Sequence, residues 1–300
     1  MPTQAEQKVY RLKPDGFHGE LFRPTQDCYP GKALICFSGS DGKFEWSRML
    51  AQVFQSQGLA ALALAYMMEE GLPKQFCHVP VDPLEAAAMR LHSMGYEKVG
   101  LWGISKGAEL ALTAGSLLPG LVNAVIAVAP MNTVCQGFSK QKGVTLMPGS
   151  TWSFHGGEVP YTGFGLDRFP LAQVLSKSLK ARELTMDDLY IPLVKNPAPA
   201  AIIRAERITG PILLISSKMD TMWPSEAAAE QIMKRLREHG FLFFCQHLNY
   251  DCGGHLFVPM EIRLARAFKG GRGNIGNEAG TRGWILSQNA GIYFKMLRWW

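Results

Sequence analysis

A serine between two glycines, in Gly103-Ile-Ser-Lys-Gly107, is the stretch of this sequence best suited to nucleophilic chemistry. A short apolar run ends just before this stretch, and an apolar helical pattern follows it. In a strand–turn–helix setting of this kind, a sharp turn pushes the serine hydroxyl out of the sheet. Side chains at the two glycine positions would clash with the neighbouring strand and helix. We therefore predict that Ser105 is a nucleophile, with an ordinary strand-to-helix turn as the alternative.

Two further residues would complete a nucleophilic site. Asp220 follows a buried apolar run, and His255 follows the last such run in a Gly-Gly turn. A serine hydroxyl attacks well only when a base takes its proton, and the imidazole of His255 can do this near neutral pH. Asp220 would accept the other ring N–H and fix the tautomer. Serine, acid and histidine then follow one another in the chain order of α/β-hydrolase triads.

An acyl-transfer reaction also needs N–H donors for the negative oxygen that develops in the transition state. The backbone N–H of Lys106, at the start of the predicted helix, is one candidate. The second candidate comes from the turn at 38–42, through the N–H of Ser40 or Asp41, because glycines there let the backbone approach a substrate.

Other residues of the same types have structural explanations. Asp251 is the rival acid, but an aspartate at that position more simply caps its own turn. His247 lies inside a predicted strand and His155 inside a long insertion, so we interpret both as structural. Glu109 lies three residues after Lys106 in the first helical turn, and we predict a structural ion pair between them.

Apolar runs and helical patterns alternate along the chain and would position these residues. The runs are short and continuous, which is typical of strands buried on both faces of a parallel sheet. We predict strands over 33–37, 59–65, 99–102, 122–129, 211–217 and 241–248. We predict helices over 44–57, 82–95, 106–118, 170–180, 186–190, 225–237 and 284–300. This alternation predicts an α/β fold with a doubly wound, mostly parallel sheet, and the candidate residues fall at its ligand-binding carboxyl edge.

The chain divides into three predicted parts. Residues 1–30 are expected to form a short β preamble packed on the core, and residues 31–300 an α/β-hydrolase domain. An insertion at about 131–205 is too long for a plain loop, so we interpret it as a cap or lid over Ser105. Four of its aromatic side chains would line an acyl pocket or, as the alternative, pack the cap onto the core. They are Trp152, Phe154, Tyr161 and Phe164.

Composition excludes several classes of protein. The chain has 300 residues, 47% of them hydrophobic and 19% charged, which is typical of a globular enzyme. Its net charge of +6 is dispersed, so we predict no binding to nucleic acid. The polar start of the chain and the absence of a long apolar stretch predict a cytoplasmic protein without a membrane span.

The six cysteines are scattered without the spacing of zinc ligands, which favours reduced thiols. We accordingly predict no metal site, with a cluster of Cys245, Cys252 and nearby histidines as the alternative. We also predict no cofactor, and a small-molecule substrate as the partner. The oligomeric state stays open.

Three motifs resemble one known family. The stretch Gly103-Ile-Ser-Lys-Gly-Ala-Glu-Leu110 resembles the nucleophile turn of the acyl-CoA thioesterase / bile acid-CoA:amino acid N-acyltransferase family, in its C-terminal catalytic domain. Asp220-Thr-Met-Trp-Pro-Ser225 is similar to the acid turn of that family, and Gly253-Gly-His255 to its histidine turn. The resemblance implies an α/β-hydrolase fold and a reaction on an acyl thioester. Because the acyltransferase branch uses cysteine, Ser105 favours transfer of the acyl group to water.

The expected function is therefore a serine hydrolase of acyl thioesters or esters. Acyl transfer to an amine is one alternative. A carboxylesterase of the dienelactone-hydrolase kind, which shares the fold, is another. A ligand-binding protein without catalytic activity on the same fold is the third.

Overall fold

An eight-stranded sheet, in which six neighbouring strands run parallel, forms the centre of the part of the chain that the structure describes. The structure is a computed structural model, and it describes residues 7–141, 143–167, 169–255 and 300. In chain order, the strands are β1 (Gln7–Tyr10), β2 (His18–Phe22), β3 (Lys32–Phe37), β4 (Ala60–Ala65), β5 (Val79–Pro80), β6 (Lys98–Ile104), β7 (Ala124–Val128), β8 (Gln136–Ser139), β9 (Thr145–Ser150), β10 (Trp152–Phe154), β11 (Gly157–Glu158), β12 (Ile212–Ser217) and β13 (Cys245–Tyr250). The helices are α1 (Leu12–Asp15), α2 (Phe44–Ser56), α3 (Asp82–Ser93), α4 (Lys106–Leu117), α5 (Leu171–Ala181), α6 (Asp187–Lys195) and α7 (Ser225–Glu238).

The order of strands across the sheet is β1-β2-β4-β3-β6-β7-β12-β13. Strands β1 and β2 are antiparallel to their neighbours, and they come from the segment predicted as a preamble. The other strands of this sheet are parallel and alternate along the chain with helices. The predicted α/β-hydrolase fold, with a doubly wound and mostly parallel sheet, is confirmed.

The strand order reverses at β3, because the chain adds β4 on one side of β3 and β6 on the other. The carboxyl ends of β3 and β6 are therefore adjacent. Residues 38–42, here called the glycine loop, follow β3, and Ser105 follows β6. Open α/β sheets bind their ligands at such a reversal point.

Apolar side chains cover both faces of the sheet, as the continuous apolar runs predict. In β3, Ile35 and Phe37 belong to the cluster that contains the buried sides of α3, α4 and α7. Leu34 and Cys36 belong to the cluster that contains the buried side of α2. Each large apolar side chain removed from water stabilises the fold by about 1.5–3 kcal/mol. The sheet is thus a firm support for the loops at its carboxyl edge.

The insertion at 131–205 contains strands as well as the two predicted helices. Strand β8 pairs with β9, while β10 pairs with β11 and with the short strand β5. Helices α5 and α6 lie where helices are predicted. No strand is predicted here because the segment is rich in Gly, Pro and Ser, and β5, the partner of β10, lies about 70 residues earlier in the chain.

No side chain caps the start of α3. The helix begins at Asp82, and Val81 occupies the N-cap position. The Asp82 carboxylate instead accepts a hydrogen bond from the backbone N–H of His155, at 3.1 Å. Asp82 thus connects the insertion to the core.

The last strand begins later than predicted. Strand β13 begins at Cys245, because the backbone N–H of Phe241 donates to the carbonyl of Leu236 and continues the turn after α7. The helix predicted for 284–300 lies outside the described residues, apart from Trp300.

Candidate active site

Ser105 lies at a sharp turn between β6 and α4, and its backbone adopts a conformation that side chains rarely allow. Its φ is 59° and its ψ is −125°, a region that costs about 1–3 kcal/mol for a residue with a side chain. The Ser105 N–H donates to the carbonyl of Val128 at 2.8 Å, and its own carbonyl accepts from the N–H groups of Ala108 and Glu109. A neighbouring strand and the first turn of α4 therefore hold the strained residue in place.

The two glycines around Ser105 are required by space. A Cβ built on Gly103 would lie 2.1 Å from the carbonyl oxygen of Gly107, inside the same turn. A Cβ built on Gly107 would lie 2.3 Å from the carbonyl oxygen of Ser38, at the end of the neighbouring strand. Real Cβ atoms do not approach other atoms so closely, so the turn can form only with glycine at both positions.

Ser105, His255 and Asp220 form a continuous hydrogen-bonded chain. The Oγ atom of Ser105 lies 2.7 Å from Nε2 of His255, and Nδ1 of His255 lies 2.9 Å from each carboxylate oxygen of Asp220. All three residues are at most 9% exposed. A carboxylate only accepts hydrogen bonds, so Nδ1 carries a proton and Nε2 is left to accept the serine hydroxyl hydrogen.

The carboxylate of Asp220 is held in place by its own turn. Oδ1 accepts the backbone N–H groups of Met222 and Trp223, and Oδ2 accepts the hydroxyl of Ser225 at 2.6 Å. The indole of Trp223 lies edge-on to the ring of His255, with ring centroids 5.1 Å apart. The acid turn thus orients both the carboxylate and the imidazole.

The glycine loop passes directly beside the serine. A Cβ built on Gly39 would lie 3.1 Å from Cβ of Ser105 and 3.7 Å from its Oγ. Ser40 and Asp41, the predicted donor positions, are the next two residues of that loop. The loop thus comes close to the serine at Gly39, the residue directly before them.

The backbone N–H of Lys106 is at the first position of α4, where a helix has no internal acceptor for it. The side chain of the same residue points into the protein. Its Nζ donates to Oε2 of Glu109 at 2.8 Å and to the hydroxyl of Thr151 at 3.1 Å. The predicted ion pair of Lys106 and Glu109 thus forms. It is buried, and Lys106 also bonds Thr151 of the insertion.

Glu109 has no exposed surface, and both of its oxygens accept hydrogen bonds. Besides Lys106, its donors are the indole N–H of Trp152 at 2.9 Å and the backbone N–H of Cys135 at 3.2 Å. Burial, followed by the neighbouring Glu109 carboxylate, raises the pKa of the Cys135 thiol well above its usual value. The network connects the helix that follows Ser105 to two parts of the insertion.

The family model described as BAAT / Acyl-CoA thioester hydrolase C terminal matches residues 86–261. This range contains Ser105, Asp220 and His255. The chain belongs to this family. The family resemblance predicted from the three motifs is confirmed.

Relatives within the family are similar over most of this chain. The chain is 30% identical over 253 residues to acyl-coenzyme A thioesterase 1 of Homo sapiens, which covers 83% of this chain and 54% of that protein. It is 31% identical over 220 residues to acyl-coenzyme A thioesterase 5 of Mus musculus, covering 72% of this chain and 46% of that protein. The chain thus spans about half the length of these relatives.

Solved structures share the fold at low sequence identity. A sugar hydrolase from Lactococcus lactis has a TM-score of 0.58 and 16% identity, and the match covers 98% of this chain and 99% of that one. A dienelactone hydrolase from Anabaena variabilis has a TM-score of 0.52 and 17% identity, with coverage of 99% and 98%. At these identities the similarity concerns the fold alone.

Two features bear on the class of protein. Among the described residues, none of the helices is long and apolar enough to cross a membrane. In the same ranges, no three His, Cys, Asp or Glu side chains form a group that could hold a metal ion.

The cytoplasmic location stays a prediction, and the similar human acyl-coenzyme A thioesterase 2 is named as mitochondrial.

The structure corrects the prediction that Trp152 lines an acyl pocket. Its side chain has no exposed surface, and it packs in the main apolar cluster beside Tyr66, with ring centroids 6.0 Å apart. A side chain without accessible surface has no face toward a cavity. The physical reason for this position is its indole N–H, whose acceptor is the buried carboxylate of Glu109.

The other predicted pocket residues occupy two different places. Phe154 and Tyr161 are half-buried and pack against the main cluster. Phe154 also stacks on His155, whose Nε2 lies 2.8 Å from the carboxylate of Glu85. These contacts support the alternative, in which the insertion packs onto the core.

Phe164 differs from the other three because its contacts lead to the histidine. Its ring lies 5.3 Å from that of Tyr190, and the ring of Tyr190 lies 5.3 Å from that of Trp223. Trp223 contacts His255, so Phe164 is the predicted pocket residue that aromatic contacts connect to the candidate site.

The rival acid and the second histidine lie elsewhere. The side chain of Asp251 is 83% exposed and forms a surface ion pair with Lys218 at 2.6 Å. His247 contacts the hydroxyl of Ser216 at 2.7 Å within the sheet, as a structural histidine does. Neither residue contacts the triad.

Sequence reasoning missed several polar side chains that hold the loops of the site, among them Ser225, Ser217 and Tyr66. Ser225 holds the acid, and Ser217 donates to the carbonyl of Gly253 at 2.6 Å, next to the histidine turn. The hydroxyl of Tyr66 donates to carbonyl oxygens of the glycine loop. One signal was available, since Tyr66 directly follows β4 and Ser217 ends β12, both at the carboxyl edge of the sheet.

Proposed function

We propose that this protein hydrolyses acyl thioesters or esters through an acyl-enzyme on Ser105. The observation that supports this proposal is the continuous chain from the Ser105 hydroxyl through His255 to Asp220 at the reversal point of the sheet. Membership of a family whose similar members are named acyl-coenzyme A thioesterases favours a thioester substrate.

In the first half of the reaction, Oγ of Ser105 attacks the carbonyl carbon of the substrate while Nε2 of His255 takes the hydroxyl proton. The oxyanion that forms is stabilised by the backbone N–H of Lys106 and by that of Ser40 or Asp41. The bond to the leaving group then breaks, His255 returns its proton to the departing sulfur or oxygen, and the acyl group stays on Ser105. Each oxyanion donor typically contributes about 3–4 kcal/mol to such a reaction.

In the second half, water replaces the leaving group. His255 takes a proton from the water molecule, whose oxygen attacks the acyl carbon. The second tetrahedral intermediate collapses, the carboxylic acid leaves, and Ser105 regains its proton from His255. Asp220 keeps the imidazole oriented through both halves.

Amine conjugation is the competing outcome at the acyl-enzyme stage. We expect the acyl ester on Ser105 to react with water, and we therefore propose hydrolysis over conjugation. Mass spectrometry of the products, with glycine or taurine present beside water, distinguishes the two reactions. The free acid is the expected product, and a conjugate as the main product would favour the transferase alternative.

The proposal is tested by measuring thiol release from acyl-CoA substrates of short to long chain length, with p-nitrophenyl esters measured in parallel. Ser105→Ala is expected to lower kcat by about 10⁶-fold, to the background of the assay. Ser116→Ala is a matched control, because Ser116 is buried on α4, the helix that follows Ser105, and its hydroxyl donates to the carbonyl of Thr113. Turnover by folded Ser105→Ala at the wild-type rate would overturn the proposal.

A further inference from the structure

The carbonyl groups of the glycine loop are held by two side chains from outside the loop. The single hydroxyl hydrogen of Tyr66 is shared between the carbonyl oxygens of Ser38, at 3.1 Å, and Gly39. The Nζ of Lys140 donates to the carbonyl oxygen and to the hydroxyl of Ser40, both at 2.9 Å. Three successive carbonyl groups of the loop therefore point toward side-chain donors.

Holding a carbonyl also fixes the direction of the next N–H group. In a trans peptide the C=O of one residue and the N–H of the following residue point in opposite directions. With the Gly39 carbonyl bound to Tyr66, the N–H of Ser40 points away from Tyr66. With the Ser40 carbonyl bound to Lys140, the N–H of Asp41 points away from Lys140.

Strand order shows what lies on the opposite side. Tyr66 follows β4, the glycine loop follows β3 and Ser105 follows β6, and these strands are neighbours in the order β4-β3-β6. The loop therefore lies between Tyr66 and Ser105. The close approach of Gly39 to Ser105, with 3.1 Å from a built Cβ to the serine Cβ, agrees with this arrangement.

Further contacts within the loop keep this geometry. The backbone N–H of Gly42 donates to the Gly39 carbonyl at 3.1 Å, which closes a tight turn. The side chain of Asp41 lies beside the Ser38 hydroxyl and the backbone N–H groups of Gly42 and Lys43, within its own loop. The Asp41 side chain thus faces its own loop.

The position of Lys140 is set by the insertion. The residue directly follows β8, where Phe138 exchanges two backbone hydrogen bonds with Phe76. The rings of Phe138 and Phe76 stack with centroids 4.8 Å apart, and Phe76 in turn contacts Tyr66. The two anchors of the loop are therefore parts of one packed unit.

We infer that Tyr66 and Lys140 are positioning residues, which turn the N–H groups of Ser40 and Asp41 toward the oxyanion formed at Ser105. This inference rests on the proposed function and adds to it. Since Lys140 belongs to the insertion, the insertion takes part in assembling the oxyanion site in addition to covering the core.

The test uses Tyr66→Phe and Lys140→Met, each purified as the full chain. Misplacing a catalytic donor by about 1 Å can cost about 100-fold in rate. We expect Tyr66→Phe to lower kcat for a p-nitrophenyl ester by about 10–100-fold with KM unchanged. Lys140→Met, which leaves the Tyr66 contacts in place, is expected to lower kcat by about 3–10-fold, and Lys140→Arg to restore most of it.

A second readout separates positioning from a general structural role. Alkyl trifluoromethyl ketones form an oxyanion on an active serine, so their inhibition constants are expected to rise in proportion to the loss of kcat/KM. The affinity for the product carboxylate is expected to stay at the wild-type value. Tyr10→Phe and Lys177→Met are matched controls, since Tyr10 donates to the sulfur of Met94 and Lys177 pairs with acidic residues of α6.

Ser105→Ala, measured alongside, separates the two possible failures. If Ser105→Ala is inactive while both loop variants keep wild-type kcat and wild-type inhibitor affinity, the positioning role is wrong and the proposed function stands. A loss expressed only in KM, or only in melting temperature, would also contradict the positioning role. If Ser105→Ala remains fully active, the proposed function itself is wrong.

Discussion

The buried ion pair beneath the nucleophile turn gives a quantitative prediction for Glu109→Ala. The substitution removes a carboxylate that has no exposed surface and that accepts hydrogen bonds from three donors. It leaves the Lys106 ammonium, whose side chain is 2% exposed, without its counter-charge. It also leaves the N–H groups of Trp152 and Cys135 without an acceptor. Each of these groups is costly to bury unpaired.

The expected loss can be estimated from these contacts. Removing one partner of a buried ion pair costs about 3–5 kcal/mol, because the other charge stays buried. Unfolding entropy is about 2.1 cal/mol/K per residue, or about 0.6 kcal/mol/K for 300 residues. A loss of this size therefore corresponds to a melting temperature about 5–8 °C lower. The two orphaned N–H groups make this a lower estimate.

Thermal unfolding of a set of variants tests this reasoning. Glu109→Gln keeps an acceptor for Trp152 and Cys135 but removes the charge. We expect Glu109→Gln combined with Lys106→Met to be more stable than Glu109→Gln alone, because the double variant leaves no unpaired cation. Lys218→Ala, at an exposed pair, is expected to leave the melting temperature unchanged. A decrease of less than about 1 °C for Glu109→Ala would refute the account of a buried pair.

Three further predictions concern the site and its support. Asp220→Asn is expected to lower kcat by about 10⁴-fold with the fold intact. Asp251→Asn is expected to keep wild-type kinetics. Equal losses of kcat in the two variants would contradict the assignment of Asp220 as the acid. Gly103→Ala is expected to give little folded protein, because its Cβ would lie 2.1 Å from a carbonyl oxygen. Gly157→Ala is expected to fold normally, since its Cβ would lie 3.5 Å from the nearest atom. Soluble yield and circular dichroism measure both outcomes. Peptide mapping after iodoacetamide treatment is expected to show Cys135 unmodified in the native protein, since the thiol is buried and burial raises its pKa. Rapid modification of Cys135 in the native protein would contradict its burial.

The parallel sheet was predictable from the sequence because its signals are local. Each buried strand is a short apolar run, and each candidate residue lies in the loop or turn that comes after such a run. Residues that follow parallel strands meet at one edge of the sheet, so Ser105, Asp220 and His255 could be grouped before any distance was known. Their separations along the chain did not matter, since the sheet brings strand ends together.

Features that depend on contacts across the fold were not predictable in the same way. Trp152 has the residue type of a pocket wall, but a carboxylate 43 positions away, on Glu109, draws it into the core. Lys140 contacts the loop carbonyl of Ser40, 100 positions away. Such contacts depend on how the insertion folds back onto the core, and no periodicity in the sequence records this. The buried state of the pair formed by Glu109 and Lys106 has the same origin, because residues of the insertion cover it.

The central claim is that an acyl group resides on Ser105 during turnover. Rapid acid quenching during hydrolysis of an acyl-CoA, followed by tryptic digestion and mass spectrometry, tests this most directly. Cleavage after Lys98 and Lys106 gives a peptide of residues 99–106 that contains the serine. We expect this peptide to carry the mass of the acyl group in the wild-type protein and to carry none in Ser105→Ala. Turnover without any adduct on this peptide, or an adduct on a different residue, would contradict the account.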